Sequence, residues 1–126
     1  MKHTFIVAKE RFYTDLDEFI EINDMKKKDA IGYSVYLLIN QMIAKKMTIS
    51  SFIDSVKILQ KFDYVHDTEF VKTSIYLDED ILEMIYLLFA KMDGKISKNE
   101  ILNYAIFNML TSDEEVKDEY YSREFD

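Results

Sequence analysis

The sequence predicts a mostly α-helical fold that carries one short two-stranded antiparallel ribbon. Two short β-rich runs, residues 4–8 and 70–77, are each followed by two stretches in which apolar residues recur every three to four positions. The order and spacing of these elements nearly repeat: residues 4–39 laid on 73–110 suggest an internal duplication at a period of about seventy residues. A chain of 126 residues, 48% hydrophobic and without cysteine, is one domain's length and can bury a core without cross-links. The expected division is a first unit at 1–47, a connecting helix and linker at 48–69, a second unit at 70–110 and an acidic tail at 111–126.

Each element has its own local cause. Residues 4–8 (TFIVA) are short and β-rich. Phe12, Leu16, Phe19 and Ile20 then fall at i, i+4, i+7 and i+8, one apolar face of a helix, until Asn23 and Asp24 interrupt it. A second helix is expected over 28–46, with Ile31, Val35, Leu38 and Met42 inward. Ser51 and Asp54 make a capping-box signal for a connecting helix that carries Phe52, Val56 and Leu59 and ends near Phe62. After a polar link at 66–69, the run FVKTSIYL (70–77) alternates as a strand does. Asp78, Glu79 and Asp80 follow where a helix N-terminus favours negative charge, and Ile81, Met84, Ile85, Leu88 and Met92 form the stripe behind them. Asp93-Gly94 is a stop signal. Ser97 with Glu100 forms a second capping box, opening a helix with Ile101, Leu102, Ala105, Ile106, Met109 and Leu110.

Composition excludes most catalytic chemistry. Without cysteine there is no thiolate ligand or nucleophile, and two glycines, Gly32 and Gly94, cannot build a phosphate-cradling loop. With His3 and His66 as the only histidines, a zinc site or a Ser-His-Asp triad has almost nothing to draw on. No cofactor and no enzyme activity are expected. Asp93-Gly94, Ile96 and Glu100 match the second half of a calcium loop, but Phe89 and Lys91 stand where its first acidic ligands belong, so a capped turn is the better account. There is no long uncharged apolar run and no secretory signal, so a cytoplasmic protein without membrane contact is expected.

The net charge of −8 is unevenly spread. Residues 1–47 carry eight basic and seven acidic side chains, whereas 111–126 carry two and seven. The folded part is thus near neutral. The tail reads as a solvated extension or as an arm for a protein partner, with Tyr120, Tyr121 and Phe125 to dock once charge has steered the encounter.

The segment KTSIYLDEDILEMIYLLFAKMDGKISKNEILNYAIFNML (72–110), and more weakly the first unit, resembles the ribbon-helix-helix DNA-binding family, that of the Arc and methionine repressors. The acidic helix start after the strand and the turn from Asp93 to Glu100 carry most of the likeness. The resemblance implies a tandem ribbon-helix-helix pseudo-dimer with an inserted helix. It also implies a sequence-specific transcriptional regulator, a repressor, that inserts its ribbon into the major groove of double-stranded DNA. One unit alone leaves a strand edge unpaired and two helical stripes uncovered, so the second copy must supply the missing half.

The period of two points Thr73, Ile75 and Leu77 inward and leaves Lys72, Ser74 and Tyr76 as the base-reading set. Matching Ile6 to Ile75 points His3, Phe5 and Val7 outward in the first strand, so His3 and Phe5 join that set. Both faces of this strand are apolar, however, and burial of Phe5 is the competing account. The family anchors phosphates at the start of its second helix, which the resemblance places at Lys26, Lys27 and Lys28 in the first unit and at Ser97, Lys98 and Asn99 in the second. The rival function, favoured by the net charge and the aromatic tail, is an acidic protein-interaction module, such as an inhibitor or an antitoxin. Self-association is left open by the sequence.

Overall fold

The computed structural model describes residues 2–62 and 69–111. Strand β1 (Lys2–Ala8) leads into a helix wound as a π-helix over Glu10–Leu16 and as α1 over Asp17–Asn23. Then come α2 (Lys27–Ala44), α3 (Ile49–Phe62), β2 (Phe70–Tyr76), α4 (Glu79–Ala90) and α5 (Lys98–Thr111). The chain is mostly helical, and its two strands form one antiparallel sheet. The polar link at 63–68 and the tail at 112–126 lie outside the described residues.

The strands pair in the register Lys2↔Tyr76, Thr4↔Ser74, Phe5↔Thr73, Ile6↔Lys72 and Ala8↔Phe70. Opposed residues of an antiparallel pair lie on the same face. Phe5 and Val7 are buried with Ile75 and Leu77, and His3 and Thr73 are half-buried beside them. This corrects the expectation that His3, Phe5 and Val7 point outward. Matching Ile6 to Ile75 sets the two strands one residue out of phase, and a one-residue slip exchanges every inner for an outer side chain. Phe5, at 5% exposure, belongs to the core. The competing account of its burial is the observed one.

The core sits between α2 and α5, which pack against each other at the centre. Both are buried over most of their circumference: Ala30, Ile31, Tyr33, Val35, Leu37 and Leu38 on α2, and Ile101, Leu102, Ala105, Ile106 and Met109 on α5. A helix surrounded in this way needs apolar residues on all sides, not one stripe. Helix α4 covers one flank of α2, while the π-wound segment and β1 cover α5. Phe12, Leu16, Ile81 and Ile85 project inward from these outer helices as their spacing predicts. Helix α3 lies against α5, where Phe52 meets the ring of Tyr104 edge-on at 5.4 Å.

Local chemistry sets the helix ends. Asp24 closes α1 in the left-handed region at φ 50° and returns its N–H to the Glu21 and Ile20 carbonyls. Asp93 and Gly94 are both left-handed, at φ 53° and 74°, and turn the chain from α4 towards α5. A Cβ at Gly94 would meet nothing within 4 Å, so conformation and not space favours glycine there. Ser97 and Glu100 exchange the two capping-box bonds, each 3.1 Å. The cap of α3 is Thr48, three residues earlier than expected. The Ser51 N–H donates to Thr48 Oγ1 at 3.0 Å, so Ser51 is the capped residue and not the cap.

Candidate nucleic-acid interface

The outer face of the ribbon presents Thr4 and Ile6 from β1 and Lys72, Ser74 and Tyr76 from β2, all exposed. Thr4 and Ser74 are directly opposed, and their hydroxyl oxygens share a hydrogen bond at 3.0 Å in the middle of the face. Tyr76 is 61% exposed at one end, and Phe70, 51% exposed, lies at the other. Two strands of seven residues make a finger about 23 Å long, with its strands about 4.8 Å apart. A major groove about 12 Å wide admits such a ribbon. Hydroxyls, an ammonium and a phenol can donate to or accept from base edges, while Ile6 can meet a thymine methyl.

The free edge of β1 is held from α5. The Ile6 N–H donates to Asn99 Oδ1 at 2.9 Å, and the Ala8 N–H donates to Asn103 Oδ1 at 2.8 Å. Asn103 Nδ2 donates in turn to the carbonyls of Ile6 at 3.0 Å and Asn99 at 2.7 Å. An exposed strand edge is thereby satisfied by side chains and cannot slip. Behind the ribbon, Lys9 Nζ lies 2.7 Å from Glu69 Oε2, and the Lys9 N–H donates to the Glu69 carbonyl at 3.0 Å. These two bonds tie the base of β1 to the entry of β2.

The two expected phosphate anchors differ. Lys26 begins α2 in an extended conformation, and no side chain caps the helix there. Its own side chain is exposed and has no ion pair among the described residues. Lys27 Nζ stands 5.1 Å from the centre of the Phe12 ring and 3.9 Å from Asp17 Oδ1, while Lys28 Nζ is 3.5 Å from Asp78 Oδ1. These lysines are positioned but remain at the surface. At the start of α5, Ser97 is occupied by its capping box and Asn99 by the β1 edge. Lys98 is held over the Tyr86 ring at 4.4 Å and the Phe89 ring at 5.3 Å. Only Lys98 of this trio has no hydrogen bond of its own to the fold among the described residues.

Sequence reasoning placed Lys72, Ser74 and Tyr76 on the outer face and missed Thr4 and Ile6, which follow at once from the correct phase of β1. It also missed Asn103, whose signal was a lone amide among the apolar positions of α5. Among the described residues no three His, Asp or Glu side chains converge as metal ligands, and no helix is long and apolar enough to cross a membrane. Comparison of the chain with protein-family models, with curated proteins and with solved structures gives no match.

Proposed function

We propose that this protein is a sequence-specific DNA-binding regulator, a repressor, built as a tandem ribbon-helix-helix pseudo-dimer within one chain. The carrying observation is the pairing of β1 with β2, two strands more than sixty residues apart, into a ribbon whose outer face exposes Thr4, Ile6, Lys72, Ser74 and Tyr76. An offset of 70 between the strands sets Thr4 and Ile6 on Ser74 and Tyr76, and sets Phe5 and Val7 on Ile75 and Leu77. Inner matches inner and outer matches outer. The bonded Thr4–Ser74 pair in the middle of the ribbon and the packing of α2 on α5, the second helices of the two units, support that reading.

In this role the outer side chains read base edges, and Lys26, Lys27, Lys28 and Lys98 contact phosphate, which fixes register without reading sequence. Four such contacts give a log–log salt slope of about −3 to −4. Selection from random duplex DNA followed by gel shift tests the proposal. An enriched motif is expected, with Lys72→Ala and Tyr76→Phe relaxing discrimination within it, and Lys27→Ala lowering affinity for every sequence alike. No enriched motif, or discrimination unchanged in the ribbon variants, overturns it. The acidic interaction module keeps one supporting observation, the net charge of −8. A stable protein partner captured by the full chain in the absence of any DNA preference is the result that favours it.

A further inference from the structure

We propose that the acidic segment 112–126 docks on a lysine-rimmed apolar groove formed where α2, α3 and α4 end or begin. The groove consists of two adjoining hollows of about 430 and 440 Å³ that share Ile49 and Lys91. Ile39, Met42, Met47 and Ile49 form its floor, and Ile43 stands 71% exposed at its lip. Methionine floors adapt to the shape of what covers them. Lys46, Lys57, Lys91 and Lys95 surround it, all exposed, and none has an ion pair among the described residues. The acidic residues lining it are Asp54 and Asp93. On a chain of net charge −8 this is a local excess of positive charge beside exposed apolar surface.

The segment 112–126 has the complementary chemistry: seven acidic against two basic residues, interleaved with Val116, Tyr120, Tyr121 and Phe125. Exposed ion pairs contribute little singly, so the lysines steer and select while the aromatic rings supply the buried area. Reach is sufficient. Fifteen residues span up to about 50 Å, against a diameter of about 35 Å for a domain of this size. Attachment at Thr111 also presents the segment at an effective concentration in the millimolar range, which favours the chain's own tail over that of another copy. The groove is remote from one end of the ribbon: α2 has its first turn beside Asp78 and its last at the groove, about 27 Å away. Docking there holds a net charge of −5 away from the surface that would approach DNA, but the proposal stands whether or not the chain binds DNA.

The absence of cysteine allows a single nitroxide label on the full chain through Ser122→Cys. Paramagnetic broadening of the methyl signals of Met42, Met47 and Ile49 is expected, unchanged on tenfold dilution, with Ile31 and Ile106 keeping their shifts as evidence of an intact core. Lys46→Glu combined with Lys91→Glu should restore the groove methyls to full intensity. The proposal is overturned if the groove methyls keep full intensity in the labelled parent or if the broadening is centred on the ribbon. It is equally overturned if broadening appears only between separately labelled copies, which would make a second molecule the occupant.

Discussion

The strand-helix-helix stretch before α3 and the one that begins with β2 present the same order of elements and start their second helices in different ways. Helix α5 starts from a closed capping box, with Ser97 and Glu100 satisfying each other's backbone amides and a carboxylate at the positive end of the dipole. Helix α2 starts from three consecutive lysines with no side-chain cap, and these charges oppose the dipole that Asp29 in its first turn favours. The first helices differ in charge and not in capping: α4 opens on Asp78, Glu79 and Asp80, its counterpart begins in a π-wound turn after Lys9, and neither start has a side-chain cap. Helix α5 is self-satisfied at its start, whereas α2 has an uncapped start at Lys26. That asymmetry teaches where an anion would be welcome, since at α2 it would relieve a cost that α5 has already met internally.

The largest effect tests how the halves are joined. Asn103 is buried and bonds the Ala8 N–H and the Ile6 carbonyl across the edge of β1, so one side chain from the second half fixes the strand of the first. Asn103→Ala leaves the buried Ala8 N–H and the part-buried Ile6 carbonyl without their partner and should cost about 2 kcal/mol in urea unfolding. Asn103→Asp keeps the acceptor and loses the donor, and an intermediate loss is expected. Loss below 1 kcal/mol for the alanine variant would show that the α5 clamp does not hold the ribbon.

The next effect sharpens the contrast between the two helix starts. Ser97→Ala should destabilise the protein by about 1 kcal/mol, because α5 loses its cap. Lys26→Asp should do the reverse and stabilise by about 1 kcal/mol, since a good cap and a favourable charge replace a lysine at the N-cap of α2. If α2 receives phosphate, the same Lys26→Asp change must weaken binding to all duplexes and make the salt slope shallower by about 1. Thermal unfolding and salt-dependent gel shifts read the two effects separately. A variant that is more stable and binds as before would leave α2 as an ordinary solvated helix start.

Much of this architecture was legible because the helices advertise their ends chemically. Ser97 with Glu100, Asp93-Gly94 and Asn23-Asp24 are local signals, and the structure uses each of them. The phase of β1 was not legible, because residues 4–8 are apolar on both faces and alternation then carries no information. The phase is set from outside the strand, by the register with β2 and by Asn99 and Asn103 reaching from about ninety-five residues away. The same long-range demand accounts for Asn99: an amide bound to a strand ninety-three residues away and a free one have the same letter, whereas the Ser97 cap on Glu100 is local and legible.

The smallest effect concerns the two faces of the ribbon at adjacent positions. Thr73 points inward with Oγ1 buried and without a hydrogen-bond partner among the described residues, whereas Ser74 points outward with its hydroxyl on Thr4. Thr73→Val replaces an unsatisfied hydroxyl by a methyl of similar shape on a strand that favours branching, so a gain of about 1 kcal/mol is expected. Ser74→Ala removes an exposed hydroxyl and should change stability by less than about 0.5 kcal/mol. If the ribbon reads DNA, their effects there should be opposite in rank: Thr73→Val leaves sequence preference intact, and Ser74→Ala alters it. A preference that moves with Thr73 and ignores Ser74 would mean that the buried side of the finger, not the open one, is what a partner meets.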